Sequence, residues 1–377
     1  MAYINGIGKT KFGILNKSLA QIMYEAMMKA FDDSGLGISD IGAIFISNFL
    51  GGPCENQLHL NAVLASLMPG AFKPIVRIET ACASGGSAIW QALLATNKFD
   101  NVMVIGAEKL SSLSTEGTTT AIAMAGDRQV DQSAGLIFPA NYALMAQQHM
   151  RKYKTTHYDL ELVALKAHEN AKLNPLAHFF EKEITIDEIR RSPVVASPLT
   201  VYDCSPLTDG ASAVIISKNR YEHSVEVIAS ALVTDTISLT QRDSLTSFPA
   251  AKIAARKAFD EANIAPEVVD VIELHDCFTI AELIGMEDIG ICKPGESKEW
   301  IQEGKTTRYG DLPINPSGGL KGCGHPIGAT GVSQVYEITA QLRGEAGKNQ
   351  VVPSPEIGLT HNIGGVGGTA VITILRK

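Results

Sequence analysis

Lys29–Ser47 (KAFDDSGLGISDIGAIFIS) and Lys257–His275 (KAFDEANIAPEVVDVIELH) align without a gap. Both open on Lys-Ala-Phe-Asp, and Ile41, Ile44 and Ile46 fall on Val269, Ile272 and Leu274. Each copy reads as an amphipathic helix, a short break and an apolar strand, the unit of an α/β fold. A second unit follows in each half. A run of small residues opens a helix (CASGGSAIWQALLA and HPIGATGVSQVYEITAQL), and a strand comes next (NVMVIGAE and PEIGLTHN). Two helix–strand units repeated in the same order argue for a duplicated fold, with a first half over residues 1–220 and a second over residues 221–377.

The halves differ in one place. About 109–200 has no counterpart in the second half. It contains helix-like stretches (NYALMAQQHMRKY, DLELVALKAHENAKLNP) and returns to the core through CSPLTDGASAVIIS, a turn and then a strand. We read it as an inserted loop subdomain over one face, a common place for substrate contacts. Its charges Lys182, Arg190 and Arg191 read as a solvated face rather than a phosphate site.

Composition narrows the class. The 377 residues carry a net charge of −8, which excludes a general nucleic-acid binder, since that needs a basic footprint. An anionic ligand would need a local basic patch. No apolar run approaches the ~18 residues that span a bilayer, and the first residues lack a signal peptide's apolar core, so the expectation is a cytoplasmic protein with no membrane partner. The six cysteines lack paired metal spacing and are expected as reduced thiols, with no metal site.

In parallel α/β layers, ligands bind beyond the carboxyl ends of strands, at helix N-termini. Cys82 sits at such a place in the first half, and His325 at the equivalent place in the second, one residue off in register. Packed about a pseudo-two-fold axis, the two helix starts converge on one cleft. There the helix dipole is expected to lower the Cys82 thiol toward neutrality, with Gly85 and Gly86 leaving room for a substrate. His275 and Cys277 follow an apolar strand, and alternation puts both on one face with Asp276 opposite. His361 borders the same region, while Cys54, Cys204, Cys292 and Cys323 read as structural.

Five segments carry a resemblance along nearly the whole chain: ETACASGG, CSPLTDGASAV, HDCF at 275–278, GGLKGCGHPIGATG at 318–331 and HNIGGVGGTAV. In this order they resemble the thiolase family, and HDCF resembles its sterol-carrier-protein type with its bacterial and archaeal relatives. The resemblance implies a five-layered αβαβα fold and acyl transfer between coenzyme A thioesters, with no further cofactor. It implies that Cys82 takes the acyl group, that the histidine of GHP, His325, activates it, and that His275 and His325 hold the enolate oxygen of the second substrate. Gly364 and Cys82 would offer backbone N–H groups to the acyl-enzyme oxyanion, and Gly319 and Asn362 would lie at the substrate.

One departure matters. Many thiolases carry an acid/base cysteine in a terminal CxG loop, and here that position reads Asn362-Ile363-Gly364. Asparagine cannot shuttle a proton, so the resemblance moves the role to Cys277 of HDCF. The family also implies a homodimer or homotetramer. Two other readings remain open on the sequence. One is an acyltransfer subunit in a complex, such as with hydroxymethylglutaryl-CoA synthase and a small OB-fold protein, or acting on a non-CoA carbon nucleophile. The other is a non-catalytic acyl-CoA or lipid binder.

Overall fold

The computed structural model describes residues 2–377. The first half runs β1 (Ala2–Lys9), α1 (Leu19–Ser34), β2 (Ala43–Ser47), α2 (Gly51–Glu55), α3 (Leu60–Ser66), β3 (Ile75–Ile78), α4 (Ser84–Ala95) and β4 (Asn101–Glu108). Then comes the insertion, with α5 (Thr115–Ala123), α6 (Phe138–Tyr153), α7 (His157–Ala171), α8 (Ile186–Arg190) and the small hairpin β5 (Val194–Ala196) and β6 (Leu199–Thr200). Strand β7 (Gly210–Ser217) closes the half. The second half runs β8 (Val225–Thr234), α9 (Pro249–Ala262), β9 (Val271–Leu274), α10 (Thr279–Asp288), α11 (Ser297–Gln302), α12 (Gly319–Cys323), α13 (Ile327–Arg343), β10 (Ile357–Gly364) and β11 (Thr369–Arg376).

The duplication is visible strand by strand. The parallel pair β2–β4 matches β9–β10, and β7 and β1 continue antiparallel as β11 and β8 do. Even the edge strand β3, parallel to β2, has a remnant in the second half, a parallel bridge from Ile272 to Ile314. The two half-sheets meet along β1 and β8 through Ala2↔Val227, Tyr3↔Glu226 and Ile4↔Val225, giving one sheet in the order β3-β2-β4-β7-β1-β8-β11-β10-β9. So short a seam lets the halves fold over one another, and the space between is filled by α4 and α13.

Those two helices have the sequence this position demands. A helix apolar or small on every side must be buried on every side. In α13 nearly every residue from Ile327 to Leu342 is buried, and it packs on β4 and β7 of one half and on β9 and β10 of the other. The outer helices are one-sided instead. α1 buries Leu19, Ile22, Met23, Ala26, Met27, Ala30 and Phe31 against β1 and β7. Ser18 and Gln21 cap it reciprocally, and Gly35 ends it in a left-handed turn. α9 buries an alanine face against β8 and β11. The layers therefore read helix, sheet, helix, sheet, helix, the αβαβα arrangement expected.

Between β4 and β7 the chain takes residues 109–209, whereas β10 and β11 are joined by 365–368 alone. The insertion leaves its own half and packs on the other. Phe138, Tyr142 and Met145 of α6 share a core with Leu274, Cys277, Phe278 and Ile280, and α7 lies against α10, α11 and α12. It thus roofs the cleft where the two central helices begin.

Candidate active site

Cys82 lies in the tight link from β3 to α4. Ala81, just before it, sits in the left-handed region at φ 51°, which costs an L-residue roughly 1–2 kcal/mol. Local bonds hold it there. Ala83 N–H reaches Thr80 O at 3.1 Å, Ser84 N–H reaches Ala81 O at 3.1 Å, and Thr80 N–H reaches Ser84 Oγ at 2.9 Å. The link delivers Cys82 to the wall of a cavity of about 380 Å³ that also touches Tyr142, His168, Cys277, Phe278, Lys321, His325 and Gly365.

The helix starts converge as expected, and the contact is backbone on backbone. A Cβ on Gly85 would stand 2.6 Å from Gly331 N, and one on Gly331 would stand 2.2 Å from Gly86 N. Gly85 and Gly86 therefore do not leave room for a substrate. Gly85 leaves room for α13, and Gly86 leaves room for Asn362 and for Val371 of β11.

The sulfur of Cys82 and one ring nitrogen each of His275 and His325 lie within 4.8 Å of one another, all buried. The two rings stand perpendicular with centroids 5.1 Å apart. On each, Nδ1 is engaged behind the site and Nε2 is buried without a partner.

Their hydrogen-bond partners assign opposite tautomers. Gly86 N–H donates to Asn362 Oδ1 at 3.0 Å, and Asn362 Nδ2 donates to Cys82 O at 3.0 Å, so backbone groups settle the amide's orientation. The remaining N–H of that amide faces His275 Nδ1 at 3.1 Å. His275 Nδ1 is then the acceptor, and Nε2 carries the proton. For His325 the logic reverses. Thr330 Oγ donates to Pro326 O at 3.2 Å and so accepts from His325 Nδ1 at 2.7 Å, which leaves Nε2 bare. One imidazole offers the cleft a donor and the other an acceptor. The trio also has the spacing of a soft-metal site, but a proton on His275 Nε2 occupies the lone pair a metal would need.

Burial governs the protonation states. It pushes the Cys82 thiol up to about 12, against weaker help from the backbone N–H groups of Gly365 and of Cys82 itself. The expected lowering by the helix start is thus outweighed, and the resting residue is a neutral thiol. Burial likewise pulls His325 down to about 3 and His275 well below the usual imidazole range. Cys277 is pushed well above the usual thiol range, by burial first and by Cys82 next, with a hydrogen bond to Tyr142 acting the other way. The site rests with two neutral thiols and two neutral imidazoles. Such a set can move a proton from Cys82 to His325 when a substrate carbonyl arrives, and can donate one from Cys277.

Other expected positions fall in and out of the cleft. The amide that reaches the Cys82 sulfur belongs to Gly365, one residue beyond Gly364. Gly364 closes β10 with its α-carbon facing the Thr80 carbonyl, where a Cβ would be 2.5 Å away. Gly319 is not a lining residue. It sits at φ 58° under Asp276, with a would-be Cβ 2.3 Å from that carboxylate. Asp276 turns away from the cleft to accept Leu320 N–H at 2.6 Å, so His275 and Cys277 share a side. His361 lies behind His275, its Nδ1 3.4 Å from the His275 N–H. Lys182 lines the cavity mouth rather than a remote charged face, whereas Arg190 is exposed and paired with Glu161.

Sequence reasoning missed Tyr142. It is fully buried, stacks on Phe278 with centroids 4.4 Å apart, and donates from Oη to Gly365 O at 2.9 Å. A single tyrosine in an amphipathic helix carries no signal that its hydroxyl ends beside two cysteines. Glu108 was missed too. It takes the N–H groups of Phe49, Leu50 and Gly328, tying the ends of β2 and β4 to the start of α13.

Residues 2–220 match the family model described as thiolase, N-terminal domain, and residues 231–377 the one described as thiolase C-terminal domain-like. The chain is 41% identical to the acetyl-CoA acetyltransferase of Methanothermobacter thermautotrophicus over 380 residues, 99% of this chain and 98% of the relative. It is 33% identical to sterol carrier protein 2 of Bos taurus over 396 residues, 99% of this chain and 72% of that one. Among solved structures, one described as Ltp2-ChsH2(DUF35) aldolase superposes with a TM-score of 0.85 at 23% identity, covering 99% of this chain and 97% of that one. The acetyl-CoA acetyltransferase from Syntrophomonas wolfei superposes with a TM-score of 0.72 at 17% identity, covering 100% and 98%. These two likenesses bear on the fold.

Proposed function

The chain belongs to the thiolase family, and we propose that it is an acyl-CoA C-acyltransferase that cleaves or forms a 3-ketoacyl-CoA such as acetoacetyl-CoA. One observation carries the residue roles: the opposite tautomers that Asn362 and Thr330 support on His275 and His325, beside Cys82. In cleavage, the Cys82 thiol gives its proton to His325 Nε2 and its sulfur attacks the 3-keto carbon. The oxyanion takes the N–H groups of Cys82 and Gly365. The carbon–carbon bond breaks, and the enolate oxygen is held by His275 Nε2–H and by the now protonated His325. Cys277 gives its proton to the enolate carbon, and the first acyl-CoA leaves. Coenzyme A then enters, gives its thiol proton to the Cys277 thiolate and attacks the acyl-enzyme. Cys82 leaves as thiolate and recovers its proton from His325. Synthesis is the same path reversed, and the protons balance in both directions.

The strand β3 is an edge, with Val76 half exposed. Pairing of two copies there is our reading of the assembly. Incubation with acetoacetyl-CoA and coenzyme A tests the activity. Acetyl-CoA should form, and mass mapping after exposure to acetyl-CoA alone should find the acetyl group on Cys82. No product with either 3-ketoacyl or acetyl substrate, or an acyl group mapped to another cysteine, sinks the proposal.

A further inference from the structure

The cavity has a second polar region that the chemistry above leaves idle. Lys321, on α12, is 1% exposed and lines the cavity. Its ammonium has three N–H donors, and the protein supplies one partner, the carbonyl of Cys204. Asp203 and Asp276 are its nearest acidic groups, yet among the described residues no carboxylate reaches ion-pair distance of it. A buried cation without a counter-ion is costly, and an unsatisfied one next to empty space points to a ligand.

His168, on α7 of the insertion, makes an independent case. It is 2% exposed and lines the same cavity, and neither ring nitrogen has a partner. Its ring is held by aromatic contacts, to Phe179 at 4.8 Å and edge-on to Tyr202 at 5.4 Å. Burial and the neighbouring Lys321 and Lys182 keep it neutral, so one nitrogen carries a proton to donate. Lys182 adds a second positive group at the mouth. On a protein of net charge −8, this is the local basic patch that an anionic group requires.

We propose that Lys321 and His168 form a subsite for a carboxylate on the acyl chain, so that the preferred 3-ketoacyl-CoA ends in a carboxylate rather than a methyl group. The inference rests on the thiolase reading of the same cavity. The carboxylate would take the Lys321 ammonium and the His168 N–H while the 3-keto carbon reaches Cys82. The phosphates of coenzyme A are the other source of negative oxygen. Lys321 and His168 are buried within a space of about 380 Å³, which suits an acyl chain and part of the pantetheine arm better than the bulky, hydrated nucleotide end.

The test compares thiolysis of 3-ketoacyl-CoA thioesters that end in a carboxylate with methyl-ended thioesters of equal chain length, over a short series of lengths. Wild type should favour at least one carboxylate-ended member by tenfold or more in kcat/KM. Lys321→Met should remove most of that preference and leave the methyl-ended rate within a few-fold. His168→Phe, which keeps the aromatic packing, should weaken the preference in the same direction and stands in if Lys321→Met fails to fold. Absence of a preference in wild type, or equal loss on both series in the variants, overturns the subsite. Acetoacetyl-CoA cleavage, measured alongside, reports on the thiolase reading separately. Pantetheine thioesters, which lack the phosphates, should show the same Lys321→Met effect, and an effect confined to full coenzyme A thioesters would assign the cation to a phosphate and overturn the acyl assignment.

Discussion

At position 362 an asparagine makes three hydrogen bonds, and backbone groups direct two of them. Gly86 N–H takes its oxygen, Cys82 O takes one amide proton, and the other goes to His275 Nδ1. The residue that stands where many thiolases have a proton carrier therefore acts through a neighbour's tautomer. Asn362→Asp is nearly isosteric and keeps the Gly86 bond, but a carboxylate accepts from His275 Nδ1 instead of donating to it. The imidazole should flip its proton to Nδ1 and present a bare Nε2 to the enolate. Losing one such donor costs a factor of roughly 10²–10³ in turnover. Cleavage of acetoacetyl-CoA should fall by that amount while acetyl transfer from acetyl-CoA to Cys82 persists. Nitrogen-15 spectra of labelled histidine should show the tautomer change, and an unchanged His275 tautomer would refute the assignment. Cys277→Ala separates the roles further. It should slow the half-reaction on Cys82 only modestly, because the departing coenzyme A can leave as a thiolate without a proton from Cys277, and lose carbon–carbon cleavage and synthesis, which need the proton at carbon. Near wild-type cleavage in that variant moves the proton carrier elsewhere.

The crossing of α4 and α13 is the element-scale feature on which the site depends, and it is made by glycine. In an ordinary helix interior, glycine is about 0.5–1 kcal/mol worse than alanine. At Gly331 the sign should reverse, because a methyl group there meets Gly86 N at 2.2 Å and Asn362 Oδ1 at 2.4 Å. Gly331→Ala should push the helices apart, lower stability by roughly 1–3 kcal/mol as overpacking does, and disturb the Asn362 bonds. Thermal unfolding checks it, and a raised midpoint contradicts the reading. The same crossing marks what was legible in the sequence. The repeated helix–strand units placed Cys82 and His325 at matched helix starts, and alternation placed His275 and Cys277 on one side. Periodicity and repetition report which face of an element is apolar, and those are local properties. What fills the space beside a glycine is not local, so Gly85 and Gly86 read as openings when α13 fills the one and Asn362 with Val371 fills the other. Burial is not local either, and at Cys82 it pushes the thiol up where the helix start alone is expected to lower it. The amide that reaches the Cys82 sulfur is that of Gly365 and not of Gly364, because the last residue of a strand and the first of a turn point in different directions. Tyr142, His168 and Lys321 meet only because the insertion of one half folds over the other, and no spacing announces that.

Across the whole molecule, the two-sided burial of the central layer takes many ionisable groups out of water, and this sets how stability depends on pH. Burial holds His168, His325 and His361 at about 3 and His275 well below its ordinary 6.5. It raises Glu108, Asp276 and Asp288 to about 7 and Glu273 to about 8 from ordinary values of 4.5 or 3.8. Stability rises with pH wherever the unfolded chain binds more protons than the folded one. The depressed histidines meet that condition from about pH 3 to 6.5. The raised carboxyls meet the opposite condition, since from about pH 4.5 to 7 the folded chain keeps protons that the unfolded chain has lost. Between about pH 4.5 and 6.5 the four raised carboxyls oppose these histidines and the half-buried His178, which burial also lowers, so the slopes largely offset one another there. Above about pH 6.5 the histidines no longer contribute and the carboxyls still do, so stability falls as pH rises through 7. The buried thiols Cys54, Cys82 and Cys323 and the half-buried Cys292 extend that fall beyond about pH 9, because burial pushes them up to about 12. Below about pH 4 the raised carboxyls no longer differ between the two states, and the histidines drive stability down as pH drops, with carboxylates such as Glu25 that lysines hold low acting in the same direction. The unfolding midpoint should therefore be level between about pH 5 and 6.5 and decline on both sides. A calorimetric series in buffers of constant ionic strength tests this, and a midpoint that climbs steadily from about pH 5 to 8 shows that the carboxyls are ionised in the folded chain. His325→Gln should then distinguish the two sets, because removing a depressed histidine should soften the acid limb and leave the decline above pH 7 unchanged.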